Sequence, residues 1–221
     1  MKNMGLHDLA VVEGEALDES RAATLAVHAA DVLGARRRVA SLAEAIAGCG
    51  LVVGSSGRAT ATRDGGLAPR ALAAGIVAAA RVNDVALVFG PEDHGLALAE
   101  LALCHRVVTI PSAEAYPSLN LAQAVLVCAY EVRVAAQDES PTTAAVRALA
   151  PAERVALLCD KLEAGLAAIG FLNGDGTVAT MRRLRRLAGR AALDDDEVQM
   201  LLGVARQMSW AGARARDTIR N

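Results

Sequence analysis

The chain has 221 residues, 53% of them hydrophobic and only 2% aromatic, and a formal net charge of −2. That length suits one medium domain, or one domain with a small appendage, and is enough to bury a sizeable core. Whole-chain charge does not announce a nucleic-acid partner, and no apolar run approaches the roughly 18 residues that cross a bilayer. Charge is nevertheless uneven: Met181 to Asn221 carry nine Arg against five Asp or Glu. The four cysteines, Cys49, Cys104, Cys128 and Cys159, are widely spaced among apolar neighbours, with no CxxC pair and no His at ligand spacing. They read as buried, reduced thiols of a cytoplasmic protein rather than as a metal site. The first residues include Asp8 and Glu13 and lack the apolar core of a signal peptide.

Along the chain, Leu9 to Val12 predicts a buried strand. Ser20 to Leu33 is Ala-rich with helical spacing and predicts a helix closed near Gly34. Arg36-Arg37-Arg38 precede Val39, and Ser41 stands as the N-cap of a helix through Ala47, with Glu44 three residues on. Leu51-Val52-Val53 is the next strand. It runs into Gly54-Ser55-Ser56-Gly57, a small-residue loop where a ligand can approach the backbone. A helix is predicted over Pro69 to Arg81, a strand over Ala86 to Phe89, a short helix over Leu98 to Cys104, and a strand over Arg106 to Ile110 stopped by Pro111. Ser118 is expected to cap a long helix through Val134. Short apolar strands alternating with helices imply an α/β fold with a parallel sheet covered on both faces. Ligands in such sheets bind beyond the carboxyl ends of the strands, where Gly54, Gly90 and Ile110 fall.

Ala135 to Pro151 breaks the pattern and reads as a linker. Beyond it, Val155, Leu158, Leu162 and Ile169 keep helical spacing, as do Met181, Leu184 and Leu187 in a second helix. Asp194 with Glu197 forms a capping-box pattern ahead of a third helix carrying Val198, Leu201, Leu202 and Ala205.

Two short stretches carry the chemistry. Gly90-Pro91-Glu92 sets a carboxylate two residues beyond a strand-end glycine, though a purely structural turn has the same look. Ser118 at a helix start ordinarily satisfies backbone N–H groups. Asn120, read as two residues inside that helix, is less expected there; its amide is suited to a ligand or to tying a neighbouring loop.

Taken together the two stretches are specific. Leu87-Val88-Phe89-Gly90-Pro91-Glu92-Asp93-His94-Gly95-Leu96, followed by Tyr116-Pro117-Ser118-Leu119-Asn120-Leu121-Ala122, resembles motifs 2 and 3 of the SpoU branch of the SPOUT RNA methyltransferases. Lys2 to Leu6, Val53 to Arg58, Ile169 to Leu172 and Met181 to Leu187 extend the likeness to the TrmJ-type tRNA 2'-O-methyltransferases. The resemblance implies a sheet with a C-terminal trefoil knot and S-adenosylmethionine as methyl donor. It implies that the backbone at Gly90, Ile110 and Leu119 contacts that cofactor, helped by Ser118 and by the loop Ser55, Ser56 and Gly57. Glu92, Ser118 and Asn120 match the polar residues of the active site. It further implies a homodimer whose interface includes the Ser118 helix through Ala122, Ala124, Val125 and Cys128, and a reaction that requires no metal.

The same resemblance divides the chain into a knotted methyltransferase domain over 1–134, a linker over 135–150 and a helical tRNA-binding extension over 151–221. The implied product is a 2'-O-methylated pyrimidine ribose in the tRNA anticodon loop. A non-catalytic RNA-binding homodimer and a ribosomal-RNA methyltransferase are the rival readings. Relatives begin with a strand and an Arg-bearing first motif ahead of the segment that Met1 opens. A late start, a fragment and a true short form all accommodate that difference, and the short form is expected to be less stable because a sheet edge is left unpaired. For RNA, Arg58 and the cluster Arg182, Arg183, Arg185 and Arg186, with Arg190, are the expected phosphate contacts, and Arg36 to Arg38 lie near the site. With so few aromatics, phosphate contact and RNA shape are expected to dominate over base stacking.

Overall fold

The structure is a computed structural model and describes residues 1–12, 18–57, 66–113, 118–138 and 147–220, the side chains at 175 and 216–220 excepted. Five strands, all in parallel pairings, alternate with helices. β1 (Ala10–Val12) pairs with β2 (Arg37–Val39) in a two-stranded sheet. β3 (Leu51–Ser55) lies between β4 (Val85–Val88) and β5 (Arg106–Val108) in a three-stranded one. The registers set Gly54 against Val88 and Ser55 against Val108. β2 was not foreseen, because Arg37-Arg38-Val39 has the composition of a loop; pairing with β1 supplies what composition does not. The four strands expected from apolar runs are present.

β3 organises the core. Successive side chains of a strand point to opposite faces, so Val52 and Val53, 0% and 1% exposed, serve two different layers. Val53 packs with Leu72 and Ile76 of α4 (Pro69–Ala79), Val108, and Cys128 of α6 (Leu121–Gln137). Val52 packs with Ile46 of α3 (Leu42–Ile46), Cys104, and Ala152 at the start of α7 (Ala152–Ala168). Local signals place most of these helices. Ser41 accepts from the Glu44 N–H as the capping box predicts, while Glu44 accepts from the N–H of Ala40, one residue ahead of the cap. Pro69 opens α4, where its missing N–H costs nothing. The helix expected over Ser20 to Leu33 is instead interrupted: α1 (Glu19–Ala26) and α2 (Ala30–Gly34) are separated by a short 3₁₀ turn, and Val27 has φ 44°.

The three C-terminal helices are as predicted: α7, α8 (Thr177–Ala191) and α9 (Asp195–Arg220). Asp194 and Glu197 form the anticipated reciprocal cap. α7 and α9 run side by side in the same direction and approach closely. A Cβ at Gly212 would lie 2.3 Å from the Ala168 carbonyl oxygen, so only glycine fits there. Ala150, Leu158 and Val198 centre this module's core.

The module is fastened to the sheet at the end where the strands begin. Ala152 N–H donates to the Cys49 carbonyl (2.9 Å), and Leu149 N–H donates to Asn83 Oδ1 (2.7 Å). Arg106, at the start of β5, donates to the Gly189 and Arg190 carbonyls, 3.1 Å each, at the end of α8. Beside it, His105 Nδ1 accepts from the Val52 N–H (3.1 Å) while its own backbone N–H donates to the Val52 carbonyl (2.8 Å).

Burial, aided by the Arg106 charge, pushes the His105 imidazole down from 6.5 to about 4. Below its usual value the unfolded chain takes up a proton that the folded chain refuses, so stability falls as pH drops from about 6.5 towards 4. His105→Leu is expected to flatten that slope. At neutral pH the same change costs about 1–3 kcal/mol by leaving the Val52 N–H without its acceptor. Urea unfolding followed across this range measures both effects.

Candidate active site

The opposite end of the sheet, where the strands finish, gathers most of the residues that the sequence singled out. Ser55 ends β3, Ser56 N–H donates to the Val108 carbonyl (3.0 Å), and Gly57 follows, exposed. Gly90 follows β4 and Ile110 follows β5. The loop after β4 is tightly curled: Gly95 N–H donates to the Pro91 carbonyl (2.9 Å) and Gly95 has φ 68°. A Cβ on Gly90 would lie 2.3 Å from the Gly95 carbonyl carbon. Glycine is therefore demanded at 90 by closure of the loop itself.

That loop is clamped to the head of α6. One Glu92 oxygen, Oε1, accepts from both the Asn120 side-chain amide and the Leu121 N–H, the latter at 3.0 Å. Asn120 Oδ1 in turn accepts from the Ala122 N–H (3.0 Å). The expected cap is corrected here: Asn120, not Ser118, is the N-cap of α6, and the helix begins at Leu121. An Asn that looked misplaced inside a helix is at the position that favours it most. The carboxylate then faces the positive end of the helix dipole. Ser118 lies outside the helix and is exposed, and Leu119 is half-buried. Gly90, Ile110 and Leu119 present backbone N–H and C=O groups with no hydrogen-bond partner among the described residues. A polar cofactor held by main chain fits such a rim.

Sequence reading missed a second feature of the loop. His94 Nδ1 lies 2.7 Å from Asp93 Oδ1, and the histidine holds the Asp93 carboxyl below its usual range. An Asp-His dipeptide beside Glu92 was the available signal.

The arginines divide. Arg36 and Arg38 reach Glu19, and Arg37 lies 3.6 Å from Asp8, so this triplet is engaged within the fold. Arg185 turns inward to Asp160 (2.8 Å) and Glu163 (3.6 Å) of α7. Arg182, Arg183 and Arg186 make no ion pair among the described residues, and Arg183 is exposed. Leu187, expected on the inner side, is exposed beside them. Arg58 lies outside the described residues. Among those residues no group of three or more His, Cys, Asp or Glu could hold a metal ion, and no helix is long and apolar enough to cross a membrane.

Residues 1–130 match the SpoU rRNA Methylase family, and residues 153–219 match the tRNA methyltransferase TrmJ, C-terminal domain. The chain belongs to the SpoU methylase family, on its TrmJ branch. It is 41% identical over 209 residues to a tRNA (cytidine/uridine-2'-O-)-methyltransferase TrmJ of Klebsiella pneumoniae, covering 92% of this chain and 86% of that protein. It is 40% identical over 215 residues to a tRNA (cytidine/uridine/adenosine-2'-O-)-methyltransferase TrmJ of Pseudomonas aeruginosa, covering 92% and 84%. The crystal structure of TrmJ from Z. mobilis ZM4 superposes with a TM-score of 0.78 at 28% identity, over 94% of this chain and 89% of that one.

The clamp has a measurable consequence. Glu92→Ala removes the acceptor of two donors at the head of α6 and is expected to speed hydrogen exchange at Leu121 by about tenfold, the equivalent of a single hydrogen bond. Glu92→Gln, which keeps an acceptor oxygen, is expected to fall between. Peptide-level exchange across 118–124 separates the three forms.

Proposed function

We propose that this chain transfers a methyl group from S-adenosylmethionine to a ribose 2'-hydroxyl of tRNA, at a pyrimidine of the anticodon loop. The observation that carries the reading is the Glu92–Asn120–Leu121 clamp. It joins the two motifs that the family shares, at the strand ends where main-chain groups stand unpaired. When bound, the cofactor supplies an electrophilic sulfonium methyl.

The chain's own work is positioning. Gly90, Ile110 and Leu119 would hold the cofactor through backbone groups, helped by the loop Ser55, Ser56 and Gly57. Glu92 keeps the loop after β4 seated on α6, and Asn120 fixes the first turn of that helix. Ser118, exposed just ahead of α6, hydrogen-bonds the substrate ribose and orients its oxygen, whose proton is released to solvent water as the methyl is transferred. Orientation of this kind is worth orders of magnitude in rate, and a displacement of about 1 Å costs about a hundredfold.

The loops after β4 and β5 and α6 form the trefoil knot in this reading. Residues 1–134 are the catalytic domain, 135–150 the linker and 151–221 the tRNA-binding extension. The protein works as a homodimer. α6 supports this with Leu126, Tyr130 and Val134, which recur every fourth residue and are exposed. Cys128, in contrast, is spent on the interior against α4. The α8 arginines meet phosphate through Arg182, Arg183 and Arg186, while Arg185 braces α8 against α7.

Incubation of the chain with unmodified tRNA and labelled S-adenosylmethionine, followed by mass mapping of the nucleosides, is expected to find label on a ribose of an anticodon-loop pyrimidine. Label on a base, or transfer to ribosomal RNA but not tRNA, counts against the reading. Asn120→Ala is expected to slow turnover by about a hundredfold with tRNA affinity retained. Arg183→Ala is expected to lower the salt slope of tRNA binding by about one. Arg185→Ala leaves that slope in place and lowers stability by at most about 1 kcal/mol; parallel binding and thermal-melting measurements test the pair.

A further inference from the structure

The C-terminal helix carries a feature that the methyl-transfer site does not use. Arg206, Trp210 and Arg214 recur every fourth residue of α9, and all three are exposed. Residues at this spacing share one face of a helix. The opposite face carries Val198, Ala205 and Gly212, which are buried against α7. Trp210 is the sole tryptophan of the chain and stands 56% exposed. The Arg214 guanidinium lies 5.0 Å from the centroid of its ring, a cation–π arrangement that fixes the indole without covering it.

The charge around this ring is one-sided. Asp195, Asp196 and Glu197 sit in the first turn of α9, where Arg154 pairs with Asp195 and Arg147 with Glu197 and the preceding Asp194; Asp217 stands near the other end of the helix. From Val198 to Asn221 the sequence carries four Arg and one acidic residue. Arg206 makes no ion pair among the described residues. An exposed aromatic steadied by one cation and one turn from another suits unpaired RNA: the ring stacks on a base, every one of which has a π-face, and the Arg206 guanidinium meets a flanking phosphate.

We propose that Arg206, Trp210 and Arg214 form a stacking site for an unpaired base of the tRNA, distinct from the phosphate-contacting arginines of α8. The proposal rests on the tRNA reading above and adds to it a contact made by base stacking rather than charge alone. An exposed tryptophan also serves protein contacts. The flanking arginines favour a polyanion, and a protein contact is an outcome of the test.

Because Trp210 is the one tryptophan, its emission reports on this site directly. Titration of the full chain with tRNA is expected to quench that emission saturably, with the midpoint found by filter retention. Trp210→Ala is expected to weaken tRNA binding by about tenfold, within the range for a single stacked base, with the salt slope unchanged. Trp210→Phe, which keeps a ring, is expected to recover most of the loss. Arg206→Ala is expected to lower the slope by about one. Normal tRNA retention with flat emission and an unaffected Trp210→Ala variant overturns the stacking site and leaves the tRNA reading standing. Emission that responds to protein concentration but not to RNA assigns the stripe to contact between copies, and also overturns it. Failure of the unaltered chain to retain tRNA at all overturns both readings.

Discussion

The α/β part of the chain hangs on β3, a five-residue strand buried on both faces. A parallel strand in this position cannot choose between an inner and an outer side, so Val52 and Val53 each anchor a separate layer. Val53 holds α4 and α6; Val52 holds α3, the turn at Cys104 and the start of α7. Two adjacent residues thus connect the helix that heads the active site with the helix that opens the C-terminal module. His105 reinforces the same strand by accepting its Val52 N–H, and burial, with the Arg106 charge, keeps that imidazole neutral.

Parallel strands also give the sheet two chemically different ends. At the end where strands start, side chains and carbonyls are used to fasten the helical module: Asn83, Arg106 and the Cys49 carbonyl are all committed. At the end where strands finish, backbone groups at Gly90 and Ile110 are left over, and the Glu92 carboxylate holds the surrounding loops in place. The fastening of the helical module and the Glu92 clamp are thus set at opposite ends of one strand direction.

Ion pairing sorts the arginines by task. Those facing a carboxylate of the same chain are engaged within the fold: Arg154 and Arg185 brace helices against each other, and Arg147 ties the segment ahead of α7 to the head of α9. Those on open helix faces, such as Arg183 and Arg206, remain able to meet an external anion. Composition alone counts both kinds equally, which is why the Arg-rich tail does not by itself separate Arg185, paired with Asp160, from its neighbours on α8.

The sequence by itself determined the element types, the parallel order, and the pairing of the Gly90 and Asn120 segments, because apolar strand runs, capping boxes and a specific motif are all local signals. Ser41, Pro69 and Asp194 could be read directly as helix starts for that reason. It did not determine which residue caps α6, since Ser118 and Asn120 are both good caps and the Glu92 carboxylate from another loop selects between them. Nor did it reveal β2, whose arginines look like a loop until β1 lies alongside. The fate of each arginine also waited on tertiary structure. A guanidinium is committed or free according to whether a carboxylate distant in sequence is brought within reach, and only the packed fold sets those distances.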